Sequence, residues 1–243
     1  MRNDLRDALA VVNWADAHIP VLQERFVSWQ RRGPYEPVME PDPNDPEWEL
    51  LVAQLRTPID PLIQGDVGAI INSTRTALDL LLSALLAANG EKPNSDAHFP
   101  IRRSSGDFLA AVTMLESKKW LRADEAAAIK QTRAYDGGDH FLYPIHKLDI
   151  LRKHERLLTV EAFLEGASIT LFPGMSVPIH EVSKDKTALF RIPRGRFHPT
   201  KGNTLFTTEI LFNEPTLLKT RQPAIGVLRN FTCRVRAIIE EFP

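Results

Sequence analysis

At 243 residues, with 43% hydrophobic and 25% charged side chains, the chain has the composition of a folded globular protein with a sizeable core, which excludes wholesale disorder. Thirty Lys and Arg stand against 31 Asp and Glu, a net charge of -1, so no global field draws the chain to nucleic acid or membrane. Affinity for a polyanion therefore has to come from a local cluster. The single cysteine, Cys233, excludes an intrachain disulfide and suits a reducing compartment. Arg2, Asp4, Arg6 and Asp7 interrupt what a signal peptide would need, and the apolar stretch near Leu80 to Gly90 is short for a bilayer crossing. The expected setting is cytoplasmic, with no membrane partner.

Residues 2 to about 32 are predicted to be helical, because Leu5, Ala8, Val12, Ile19, Leu22, Phe26 and Trp29 recur every three or four positions. Pro20 predicts a kink or break within that helix, and Gly33-Pro34 stops it. Two extended pieces follow near 35–56, joined by the turn-rich Pro41-Asp42-Pro43-Asn44-Asp45-Pro46. Trp48, Leu51 and Leu55 also fit a short helix. The acidic residues of this part, from Glu36 to Glu49, suit a solvated loop.

The most apolar helix is predicted from about Pro61 to Ala88, closed by Asn89-Gly90. Val67, Ile71, Thr74, Leu78, Leu81 and Leu85 form one stripe, with Arg75 and Asp79 beside it one turn apart. A helix apolar nearly all round is central or buried between subunits. Ser105 is positioned to cap a helix over Asp107 to Lys118, and another covers about Ala123 to Ala134. Asp136-Gly137-Gly138-Asp139 breaks the chain before a long helix expected from about His140 to Glu165. Its polar stripe is His146, Asp149, Lys153 and Arg156, and Asp149 and Lys153 have the order that favours an ion pair. Beyond Gly166 the period shifts toward two, giving strands near 168–172, 177–182, 187–192 and 203–212. Pro223 opens a last helix to Phe242.

The expected fold is therefore α+β: a helical region over 1–165 carrying an inserted hairpin near 35–56, then 166–243 with a small antiparallel β-sheet and a C-terminal helix, packed as one unit. No glycine-rich phosphate loop, paired-cysteine zinc spacing, His-Glu-x-x-His or Gly-x-Ser-x-Gly is present. No cofactor is expected.

Three clusters of charge remain. Arg75 and Asp79 read either as an ion pair fixing helix register or as a guanidinium held by Asp79 and offered to a phosphate or carboxylate. His146, Asp149, Lys153 and His154 read either as a solvated face or as a group for acid–base work or phosphate binding. His146 and Asp149 lack a third metal ligand, so no metal site is expected. Arg191, Arg194, Arg196, His198 and Lys201 form a basic run, either a solvated hairpin tip or a contact for nucleic-acid phosphates.

Gly65-Asp66, then Asn72-Ser73-Thr74-Arg75-Thr76-Ala77-Leu78-Asp79-Leu80, then Phe99-Pro100-Ile101 and Leu148-Asp149-Ile150-Leu151-Arg152-Lys153-His154 occur in that order. Together they resemble a bacterial family related to the HEPN helical domains, over about residues 60 to 160. The resemblance implies a helical bundle that often forms a homodimer, and active HEPN members are ribonucleases with an Arg-x(4–6)-His motif. Arg75 matches that arginine, but Leu80 stands in place of the histidine, which leaves His154 or His146 as the proton-transfer candidates. The expectation is a module that binds RNA, a nucleotide or another phosphate-bearing ligand through Arg75, Asp79, Asp149 and Lys153, with weak or no catalysis. The alternatives are a homodimeric interaction module and a ribonuclease using His154.

Overall fold

The structure, a computed structural model, describes residues 5–92, 97–169, 180–183, 186–196, 198, 204–214, 218 and 221–242. It is mixed α+β. In chain order come α1 (Arg6–Arg31), β1 (Tyr35–Pro41), β2 (Trp48–Leu55), α2 (Pro61–Ala88), α3 (Ser105–Ser117), α4 (Ala123–Gln131) and α5 (Leu142–His154). Then follow β3 (Val160–Ile169), β4 (His180–Ser183), β5 (Lys186–Pro193), β6 (Thr204–Phe212), β7 (Gln222–Pro223) and α6 (Ala224–Glu240). The contacts divide the chain into two compact units that do not follow chain order. The first is Met1–Gln23, Leu62–Thr159 and Phe212–Pro243; the second is Glu24–Pro61 and Val160–Leu211.

This division differs from a break near Gly166. The acidic hairpin belongs with the later strands, because β2 has two edges to satisfy. One edge pairs antiparallel with β1 (Val38 opposite Val52) and the other with β5 (Val52 opposite Ala188), giving the order β1-β2-β5-β4. The second piece is thus a strand and not the short helix that Trp48, Leu51 and Leu55 also fitted. Leu51, Val52 and Ala53 are buried in it. In a second sheet β3 neighbours β6. An aromatic chain of Phe26, Trp29, Tyr35 and Phe206, with successive centroids 5.4, 6.5 and 5.8 Å apart, fills this unit's core. Trp29 donates its indole N–H to the Pro58 carbonyl at 3.0 Å, satisfying the polar edge of a buried ring.

The helical unit is built around α2, whose bounds match the sequence expectation. All six residues of the expected stripe (Val67, Ile71, Thr74, Leu78, Leu81 and Leu85) are fully buried. Asn89 folds its amide onto the Leu85 and Leu86 carbonyls, and Gly90, at φ +85°, takes the left-handed turn that ends the helix. By length and composition α2 is also long and apolar enough to cross a bilayer, contrary to the shorter stretch read from Leu80 to Gly90. Here 56% of that window is buried inside the chain, as in the core helix of a globular protein. The C-terminal α6 packs against α1 through Thr232 and Arg236, both bonded to Asp16 at 2.9 Å, and against α5 through Phe231 and Phe141.

Three boundaries depart from expectation for identifiable reasons. Pro20 lies on an exposed position within a single α1. Ser104, not Ser105, caps α3, accepting the Asp107 amide at 3.1 Å. The helix expected to reach Glu165 ends at His154, because the following residues are captured elsewhere. Arg156 makes a two-pronged contact with Glu214 at 2.8 Å on each prong, and the Thr159 amide donates to the same buried carboxylate at 2.8 Å. Its start is fixed by Asp139, which accepts the Phe141 and Leu142 amides on one oxygen and Arg234 on the other. Of the expected strand near 168–172, residues 168 and 169 fall in β3, and residues 170–172 lie outside the described residues, as do 177–179 of the next.

Candidate functional site

Helices α2 and α5 meet along a seam that both sequence clusters face. Residue pairs across it fix the direction: Arg152 lies over Gly68, and Asp149 bonds Asn72, so the numbering falls on α5 as it rises on α2 and the helices run antiparallel. On α2 the seam positions are Gly68, Asn72, Arg75 and Asp79; on α5 they are Arg152, Asp149 and His146. These are spacings of three and four, which keep one face of each helix turned to the other. Gly68 leaves room for the Arg152 side chain: a Cβ would sit 2.5 Å from Arg152 Cδ and oblige that side chain to shift.

At one end, Asp149 (its side chain 5% exposed) is the anchor. Asn72 donates its side-chain N–H to Oδ1 at 3.0 Å, and Lys153 Nζ meets Oδ2 at 2.6 Å. Lys153 itself is 42% exposed, so a buried carboxylate holds a cation at the surface. Arg152 Nε is buried 3.9 Å from Asp149 Oδ1 and makes no hydrogen bond to any described residue. Arg152, Lys153 and His154 all lie in the last turn of α5, where the helix dipole favours cations.

At the other end, the i, i+4 pair read from the sequence is present, and it is buried. Arg75 is 6% exposed and donates Nη1 to Asp79 Oδ1 at 2.6 Å and Nη2 to the Phe99 carbonyl at 3.2 Å. The Phe99 amide returns a hydrogen bond to Asp79 Oδ1 at 2.8 Å. Arg75 and Asp79 thus clamp the backbone of the loop before α3, a positioning role for the guanidinium. The remaining oxygen, Asp79 Oδ2, faces His98 Nδ1 at 3.3 Å, and that ring is 63% exposed. His146 lies between the two ends. Burial, together with the positive charges of Arg75 and Lys147, pushes its pKa down to about 4, so it is a neutral imidazole at ordinary pH.

The structure therefore brings together Arg75, Asp79, His146, Asp149 and Lys153. It leaves His154 aside. His154 is exposed at the end of α5, roughly 140° around the helix from Asp149, and no hydrogen bond or ion pair joins it to the seam among the described residues. Sequence reasoning missed Asn72, Gly68 and His98. The first two carry a signal that periodicity contains, since they lie three and seven residues before Arg75. His98 sits in a loop, where no periodicity points at it. Among the described residues no three His, Cys, Asp or Glu side chains converge as metal ligands.

The basic run fares differently. On β5 Arg191 bonds Asp42 and Asp45 and stacks on Trp48 at 4.6 Å, while Lys186 pairs with Glu40. The Asn44 amide, opposed by burial and helped by Arg191, holds the Asp42 carboxyl below its usual pKa. The acidic hairpin is the counter-charge of the basic strand. Arg194 and Arg196 are exposed, and Lys201 lies outside the described residues.

Compared with models of known protein families, with curated proteins and with solved structures, the chain matches none.

Proposed function

We propose that the helical unit binds a phosphate-bearing ligand along the α2–α5 seam. The observation that carries this reading is Lys153, a surface cation fixed at 2.6 Å on a buried carboxylate that Asn72 of the other helix orients. A lysine held in this way has given up much of its side-chain freedom before a ligand arrives, so less ordering entropy opposes binding. Arg152 lies beside it and adds a second positive charge. Within the described network Arg75, Arg152 and Lys153 outnumber Asp79 and Asp149, so the seam attracts anions where the chain as a whole does not. Asp79 and Asp149 act as positioning residues, and Arg75 supports the loop that carries His98. The reading makes the unit a HEPN-like bundle in a cytoplasmic protein, with α2 as its core helix. Any catalysis is weak, since the Arg75 fork is already occupied.

The test is fluorescence polarisation of short labelled RNA at two salt concentrations, with the same samples run on a gel. Salt-sensitive binding lost in Lys153→Ala is expected. Unchanged binding in that variant, or no binding by the parent chain, refutes the proposal, and cleaved RNA in the gel would turn it into an enzyme.

We propose as a second reading that the chain forms a homodimer. Trp14 and Val21 are exposed on α1, and Ala10 and Ala17 are exposed at helical spacing beside them. Light scattering across a dilution series decides it: a mass that stays that of one chain at every concentration removes this reading.

A further inference from the structure

The seam has two ends, and one phosphate cannot reach both. Asn72, which marks the Lys153 end, and Asp79, which marks the His98 end, are seven residues apart on α2, or roughly 10 Å along its axis. At the first end the donor that faces outward is Lys153. At the second the only exposed donor tied to the seam among the described residues is His98, whose Nδ1 is turned to Asp79 Oδ2. Asp79 is itself neutralised by Arg75 and bound by the Phe99 amide, so its charge is largely spent inward. A carboxylate on Nδ1 fixes the ring and leaves Nε2 for a ligand; in the doubly protonated ring both nitrogens donate. Between the ends lies His146, half-buried and uncharged, which sets no positive charge there.

Resting on the phosphate-binding reading above, we propose that the ligand is a chain of phosphates spanning the seam, held by Lys153 at one end and by His98 Nε2 at the other. A mononucleotide or a lone phosphate occupies one end only. The shared chemistry is a linear run of phosphate groups, from a single-stranded oligonucleotide or from inorganic polyphosphate. His98 is a binding residue in this scheme, and Asp79 positions it. Two linked contacts of this kind raise affinity through effective concentration, without any additional contact.

The experiment is competition against a labelled decauridylate. The competitors are uridine monophosphate, a six-residue ribo-oligonucleotide, a six-residue deoxy-oligonucleotide and inorganic hexapolyphosphate. The parent chain is expected to bind at least one of the longer competitors more than tenfold tighter than the monophosphate. His98→Gln should remove most of that advantage while leaving monophosphate binding within about twofold, and His98→Lys should restore it. The ring is exposed, so neither variant threatens the fold. Equal binding of nucleotide and inorganic chains supports phosphate recognition alone; a preference for one of them supports the same two ends and identifies the source. If the monophosphate binds as tightly as every chain, or His98→Gln keeps the full advantage, the proposal is overturned while phosphate binding stands. If the parent binds none of the competitors or the labelled strand, both fall.

Discussion

The α2–α5 seam and the β2–β5 face use the same residue types to opposite ends. In the sheet, Arg191 and Lys186 meet three carboxylates, Asp42, Asp45 and Glu40, supplied by the hairpin that pairs alongside. The cations are quenched where they stand. In the seam, Asp149 is buried and Lys153 exposed, as Asp42 and Arg191 are in the sheet, but here Arg75, Arg152 and Lys153 meet only Asp79 and Asp149. What separates the two clusters is the balance of charge, two cations against three carboxylates in the sheet and three cations against two carboxylates in the seam. A basic run five residues strong is the louder signal in the sequence, and its strand residue Arg191 is already answered from within the chain, while Arg194 and Arg196 are exposed.

That contrast can be broken at several points. The largest effect is expected for Asp79→Ala, which leaves Arg75 buried with only the Phe99 carbonyl. A loss of about 3 kcal/mol in urea unfolding is expected, since removing one partner of a buried pair strands the other. A loss below about 1 kcal/mol would mean that the guanidinium finds water or another acceptor. Gly138→Ala should come next, at about 2 kcal/mol, because a Cβ there would lie 2.2 Å from the Arg133 carbonyl oxygen and 2.9 Å from the Tyr135 ring, in the turn leading into Asp139 and α5.

The third expectation concerns acid. The His146 pKa falls from 6.5 to about 4 on folding, so the unfolded chain takes up a proton at a pH where the folded chain does not. Its contribution is fully present above about pH 6.5, is lost as pH falls toward about 4, and changes no further below that. Linkage alone would give about 3 kcal/mol; with a half-buried ring and solvent screening, about 1 to 2 kcal/mol is expected. His146→Gln should flatten that part of the stability profile measured by urea unfolding at stepped pH, and an unchanged slope would contradict the assigned burial. The smallest effect is expected for Arg191→Ala, within about 1 kcal/mol, because the buried Asp42 carboxylate keeps the Asn44 amide at 2.8 Å and Asp45 is part-exposed, where ion pairs contribute little.

Much of the helical unit can be read from the residues, and the reason is periodicity. The bounds of α2, its buried stripe and its Arg75–Asp79 pair follow from a 3.6-residue repeat that tertiary packing preserves. The pair Asp149–Lys153 follows from the same rule on α5. What periodicity does not contain is which distant segment fills a hydrogen bond. Nothing local says that Glu214 captures Arg156 and Thr159 and so ends α5 at His154, or that the acidic hairpin pairs with β5. The same limit hid His98, a loop residue whose partner lies 19 positions earlier on α2. It also set His154 aside, because one step past Lys153 on a helix is a different face.

The central claim is that the seam, and not the basic strand, presents the cations that meet a ligand. The most direct measurement is the salt dependence of binding to a labelled single-stranded oligonucleotide by the parent chain, Lys153→Ala and Arg191→Ala. Loss of at least tenfold in affinity and a shallower salt slope in Lys153→Ala, with Arg191→Ala within about twofold of the parent, is the predicted result. The reverse pattern, binding lost with Arg191 and kept without Lys153, would contradict it.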